Sequence, residues 1–238
     1  MKMNIEDVMS RLKELGTEQT KKTLRKYGAT EPFYGVKIGD LKKYLVKEVK
    51  KDQNLALALF DTGNSDAQYL AGLSIQPKLV TKEQLQHWGE KSHWSAISEA
   101  IVASVAAESP FAVELAREWL TSTDELIENT GWCCYGKYIS IAPNDQIDYK
   151  EVANLLKSVK ETIHHSPKGV RYCMNQFVIY VGVHYSPLLA EAQKVAEEIG
   201  EITGSFGDVS CNVPLASKAI QKTLDSGRNG LKKKRAVC

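Results

Sequence analysis

The amino-acid sequence predicts an all-α protein, a curved α–α superhelix of stacked antiparallel helix pairs, and three observations carry that expectation. Apolar residues recur at helical spacing along the chain, and no run alternates with the period of two that marks a half-buried strand. All seven prolines (Pro32, Pro77, Pro110, Pro143, Pro167, Pro187 and Pro214) fall between periodic runs, never inside one. From about Ile38 to Gly200 the runs group as two helices and a short turn. Such a pair cannot bury its apolar face alone, so neighbours must stack.

At the N-terminus, Ile5, Val8, Met9, Leu12 and Leu15 keep helical spacing, and Gly16 stops that helix. Thr17 opens a second, which runs to Tyr27-Gly28. An irregular stretch with Pro32 and Gly35 precedes a basic amphipathic helix over Ile38 to Lys51. There Leu41, Leu45 and Val49 are expected inside, and Lys42, Lys43, Lys47, Lys50 and Lys51 outside. Further helices are predicted over 53–61, 65–76, 82–90, 93–107, 110–121, 124–141, 148–164, 168–184 and 187–200, with a last one near 213–226. Three prolines come directly after serine (Ser109, Ser166 and Ser186), which predicts a serine N-cap with the proline ring at the first helical position. The whole of 1–238 reads as one helical-repeat domain: N-terminal helices in 1–28, repeats in 29–200, and a C-terminal loop, helix and basic tail in 201–238.

The net charge of +2 says little about partners, but its distribution says more. Residues 1–51 carry a net +6, residues 52–148 a net −9, and residues 149–238 a net +5. Basic ends around an acidic middle suit a curved array that offers cationic rims to a polyanion, or else reflect chance segregation on the surface. Five cysteines without a C-x-x-C predict neither structural zinc nor a disulfide framework. With no signal-like N-terminus and no membrane-length apolar run, a soluble cytoplasmic protein is expected.

Motifs for nucleotide binding or nucleophilic hydrolysis are missing, and the five histidines lack ligand spacing, so no metal or other cofactor is expected. The segment Lys91-Ser92-His93-Trp94 stands out. Ser92 is expected to cap the next helix and place Trp94 in its first turn, at the mouth of the array or in the buried stripe with Ile97, Ile101 and Val105. Trp132, Tyr135, Tyr138, Tyr172 and Tyr180 recur on later helices, as a stacking platform for bases or as core.

Phe33-Tyr34-Gly35-Val36-Lys37 followed by Asp40-Leu41-Lys42-Lys43, and the 91–94 segment ahead of an all-helical second half, resemble the AlkD-like DNA alkylation repair family over roughly residues 5–200. The resemblance implies HEAT-like helical repeats that cradle duplex DNA on a basic concave face. It also implies a monofunctional glycosylase that removes cationic alkylated purines without metal or nucleotide. A positively charged purine is attracted to indole faces, and a carboxylate beneath the sugar stabilises the oxocarbenium-like transition state.

Carried across, Trp94 matches the family's first indole, Tyr180 stands at the second, and Trp132 joins them as a stacking candidate. Ser98 stands where the family has its catalytic Asp, and Thr130 where it has its active-site Arg. Glu99 is adjacent, but one residue turns a helical side chain by about 100°, so it substitutes only if the helix is locally rotated. Phosphate contacts are expected from Lys37, Lys42, Lys43, Lys47, Arg171, Lys232, Lys233, Lys234 and Arg235.

Three readings stay open. One is a glycosylase in which Glu99 or Glu128 replaces the missing Asp. The second is a monomeric array that binds duplex DNA and recognises damage or structure without cutting a bond. The third is a HEAT-type protein scaffold whose basic ends meet an acidic partner.

Overall fold

Capping side chains set nearly half of the helix starts. In the computed structural model, which describes residues 3–203 and 213–237, the side-chain oxygens of Asn4, Thr17, Asp52, Asn64, Thr81, Asp124 and Asp148 each accept an orphan N–H of the helix they precede. The described residues hold only helices, turns and loops, without a β-strand. None of the helices is long and apolar enough to cross a membrane among those residues.

In chain order the helices are α1 (Ile5–Leu15), α2 (Glu18–Lys26), α3 (Ile38–Tyr44), α4 (Val46–Val49), α5 (Gln53–Asp61), α6 (Ser65–Ser74), α7 (Lys82–Glu90) and α8 (Ser95–Ile97). A π-helical turn, Ser98–Val102, joins α8 to α9 (Ala103–Glu108). Beyond it come α10 (Ala112–Leu120), α11 (Glu125–Ile141), α12 (Tyr149–Thr162), α13 (Lys168–His184), α14 (Leu189–Ile199) and α15 (Ala216–Asp225).

The helices sort into two layers. One runs α6, the α8–α9 helix, α11, α13 and α15, each packed on the next, and α5, α7, α10, α12 and α14 lie against it. Sequence explains the sorting. In α12, Val152, Leu156 and Val159 form one buried stripe on an otherwise charged helix, which suits an outer position. In α11 every residue from Asn129 to Gly136 is buried, and nine of the ten residues of α6 are. Helices apolar or small on all sides must be surrounded. Bidentate pairing of Arg117 with Glu151 at 2.6 and 2.7 Å ties α10 to α12, and the Tyr135 hydroxyl donates to the same carboxylate at 2.8 Å.

The three Ser-Pro steps follow expectation only in part. The Ser109 and Ser166 hydroxyls donate back to Ala106 O and Thr162 O and so close the preceding helix, while Ser109 Oγ also accepts from the Phe111 N–H at 3.2 Å at the start of the next. Pro187 does sit at the start of a helical turn, but a short 3-10 one (Ser186–Leu188). Likewise Ser92 donates to Trp88 O and ends α7, leaving Trp94 itself as the N-cap residue of α8. The basic helix expected over 38–51 is broken at Leu45 into α3 and α4, with Leu41, Leu45 and Val49 buried and the named lysines exposed as anticipated.

Two irregular segments are fastened from within. The 34–36 loop is held by the buried Asp66 carboxylate, which accepts from the N–H groups of Tyr34, Gly35 and Val36 at 2.6, 3.0 and 3.0 Å. Gly35 has φ +80°, and a Cβ there would fall 2.7 Å from Lys21 N, so the loop lies tight against α2. The basic tail runs back along the array. Gly230 N–H donates to Val183 O, Lys233 N–H donates to Ser140 O, and the Glu108 carboxylate accepts from the N–H groups of Ala236 and Val237 at 2.8 and 3.0 Å.

Candidate functional site

The π turn decides which side chains reach the surface of the α8–α9 helix. One extra residue per turn rotates the side chains beyond it, and the consequence falls on Ser98 and Glu99. Ser98 is fully buried and donates to Ser95 O, so the residue at the family's Asp position faces the core. Glu99 is largely buried too, yet its side chain reaches the wall of a cleft of about 380 Å³, which it lines together with Trp94, Tyr27, Tyr69 and Tyr172. It also borders an adjoining hollow lined by His93, Glu125, Asn129 and Lys168. A π turn thus stands where the sequence made local rotation the condition for Glu99.

Trp94 forms a wall of both spaces and is fixed by its indole N–H, which donates to Tyr27 O at 2.8 Å. The cleft floor is apolar, built by Leu24, Val36, Leu41 and Ala100. Glu99 is only 9% exposed, and burial pushes its carboxyl up to about 7, with hydrogen bonds from Cys173 and Asn129 opposing the shift. The Asn129 amide donates to it at 3.3 Å. Cys173, on α13, in turn accepts from the Cys133 thiol of α11 at 3.5 Å. Helix packing thus brings together two free thiols forty residues apart in sequence, which spacing rules do not register.

Several other expected residues stand elsewhere. Thr130 is fully buried and donates to Leu126 O, so it offers nothing to the cleft. Trp132 is buried edge-on to Phe177, which makes it core and not a stacking surface. Glu128 accepts from the Trp132 indole at 3.3 Å and lies outside the lining of the Trp94 cleft. Tyr180 lies flat on Gly136 of α11, where an added Cβ would meet its ring at 2.6 Å, and the Lys233 ammonium sits 5.0 Å above the ring centroid. It does not line the cleft; Tyr172, two turns earlier on α13, does. The pattern of aromatics contained Tyr172, but only packing shows which of them opens outward.

The expected phosphate contacts divide as well. Lys37, Lys42, Lys43 and Lys47 are exposed around α3 and α4, beside the exposed Ile38 and Tyr44. Arg171 is half-buried and donates to Ser166 O and Thr203 Oγ1, a structural role. Lys232 donates to Ile139 O at 2.8 Å, and burial pulls its ammonium down to about 8. Arg235 pairs with Glu108 at 3.3 Å. Lys233 and Lys234 remain exposed along the docked tail.

Comparison with known proteins accords with this scaffold. The family model for the DNA alkylation repair enzymes matches residues 8–196. An uncharacterised protein of Listeria monocytogenes is 32% identical over 216 residues, spanning 89% of this chain and 93% of its own. One from Listeria innocua is 33% identical over the same extent. A solved structure superposes with a TM-score of 0.90 at 36% identity, covering 99% of this chain and all of its own. It represents a family of proteins related to the HEAT-like repeat DNA glycosylases with affinity for branched DNA structures. The chain adopts this HEAT-like fold and belongs to the DNA alkylation repair enzyme family.

Proposed function

We propose that this protein binds DNA through the basic surface of α3 and α4 and recognises branched structure by shape and charge, without cleaving a glycosidic bond. The observation that carries the reading is the state of Glu99. A carboxylate that stabilises an oxocarbenium-like transition state must be ionised and free to face the sugar. Glu99 instead sits largely buried, its carboxyl pushed up by that burial, and is bonded to Asn129 and Cys173. Its expected cationic counterpart is a buried threonine, Thr130. Exposed Lys37, Lys42, Lys43 and Lys47 supply the sequence-independent attraction to phosphates. Affinity for branched DNA in the structural relative supports the choice of ligand.

A competition titration tests this. A four-way junction and a linear duplex with the same arm sequences are offered together, and base release from an alkylated duplex is monitored in parallel. Preferential capture of the junction with no base released is expected; equal affinity for both DNAs would overturn the shape-recognition reading.

One observation favours a second reading, excision of cationic alkylpurines: Glu99 does line the Trp94 cleft. On that reading, Glu99→Gln removes the charge while keeping shape and lowers base release by roughly 100- to 1000-fold. Release unaffected by Glu99→Gln would place any chemistry on other residues.

A further inference from the structure

The contact between Glu99 and the two thiols has a geometry that neither DNA binding nor base release requires. The carboxylate oxygen of Glu99 and the sulfurs of Cys133 and Cys173 all lie within 4.8 Å of one another. In a tetrahedral zinc site with Zn–S bonds near 2.3 Å, two thiolates sit about 3.8 Å apart; here the sulfurs are 3.5 Å apart. The three donors come from three rigid elements, namely the π turn, α11 and α13.

Asn129 supplies an independent observation. It lies one helical turn before Cys133 on the same face of α11, is 2% exposed, and has its amide nitrogen on Glu99. Its side-chain carbonyl oxygen is buried and, among the described residues, receives no hydrogen bond. Such an orphan is costly to leave unpaired. A half-turn of the amide exchanges nitrogen for oxygen and points that carbonyl at the cluster. An entry path also exists, since Glu99 and Asn129 both line the hollow open to solvent beside Trp94.

We propose that Glu99, Cys133 and Cys173, with the Asn129 side-chain carbonyl as fourth donor, form a tetrahedral site for a thiophilic divalent cation of the zinc class. Two sulfurs and two oxygens select against calcium and magnesium, which take oxygen alone. On binding, both thiols and the protonated fraction of Glu99 release their protons to solvent, the hydrated ion sheds its bound waters, and two metal–sulfur and two metal–oxygen bonds form. The half-buried Lys137, one turn beyond Cys133, partly offsets the remaining negative charge. The ion ties the π turn to α11 and α13 and takes the Glu99 carboxylate out of the cleft. This proposal stands independently of the DNA-binding reading.

Cobalt substitution tests it. Protein stripped by chelator and kept reduced with a phosphine is titrated with Co²⁺ alone, then with Zn²⁺. About one equivalent of cobalt should produce thiolate-to-metal charge transfer and the visible bands of a tetrahedral ion, and zinc should bleach both. The Cys133→Ser/Cys173→Ser double variant should lose the signal. Cys134→Ser should keep it, because that thiol faces Ala112 O instead of the cluster. Glu99→Gln preserves size and should weaken zinc binding by more than about tenfold with unchanged helical circular dichroism. No charge-transfer band in the wild-type protein overturns the proposal, as does a band that survives in the folded double variant.

Discussion

Glu99 illustrates how far a single residue's environment can depart from its sequence context. Its carboxyl titrates near 7 in the folded protein against an ordinary 4.5, because burial penalises the charged form. Between these values the folded state holds a proton that the unfolded state has lost, so by linkage stability falls as pH rises through the window. The contribution is about 3 kcal/mol, taking each unit as about 1.4 kcal/mol. Urea unfolding of metal-free protein from pH 4.5 to 8 should therefore show a decline that flattens above neutrality, and Glu99→Gln should remove that part of it. Equal pH slopes in both proteins would show that Glu99 is not desolvated. Asp66 shows the same balance of forces with different donors. Burial raises its pKa while three backbone N–H groups oppose the rise. Asp66→Asn turns one acceptor arm into a donor facing an N–H, so it should cost about 1–3 kcal/mol in chemical denaturation. A neutral result would mean that the 34–36 loop is held mainly by the burial of Phe33.

At the scale of elements, the sequence disclosed most of what depends on local pattern. The bounds of α5, α7 and α13 match the periodic runs over 53–61, 82–90 and 168–184, since caps and apolar spacing lie in adjacent residues. Features made by contacts between distant residues were not legible. The π turn has no motif of its own, yet it exchanges Ser98 and Glu99 between core and cleft. The Cys133–Cys173 contact comes from the crossing of α11 and α13, not from any spacing. Nothing in the sequence around Lys232 to Arg235 reveals that Glu108 accepts from two backbone N–H groups of the tail. One Glu108 oxygen accepts from both N–H groups and the other from Arg235, so Glu108→Ala removes all three contacts. That substitution should expose the tail, seen as faster tryptic cleavage at Lys232 to Arg235 with helical content unchanged. Cleavage at the wild-type rate would show that the Lys232 bond to Ile139 O and the 2.6 Å hydrogen bond between the His184 ring and Leu231 O hold the tail without Glu108.

For the molecule as a whole, the acidic middle third argued against a polyanion partner only while its charges were taken as free. Asp66 is engaged with the 34–36 loop, Glu108 with the tail, and Glu114 and Glu118 with Lys82. Asp52, Asp124 and Asp148 cap helices. Lys37, Lys42, Lys43 and Lys47 stay exposed around α3 and α4. A curved two-layer array thus keeps its cations outward and binds many of its anions internally, an arrangement suited to a phosphate backbone. The most direct test is the affinity of the wild-type protein and the Lys42→Glu/Lys43→Glu variant for a four-way junction at two salt concentrations. Loss of two phosphate contacts should weaken binding and lower the log–log salt slope by about 2. Affinity and slope unchanged by the double reversal would contradict DNA binding through this face.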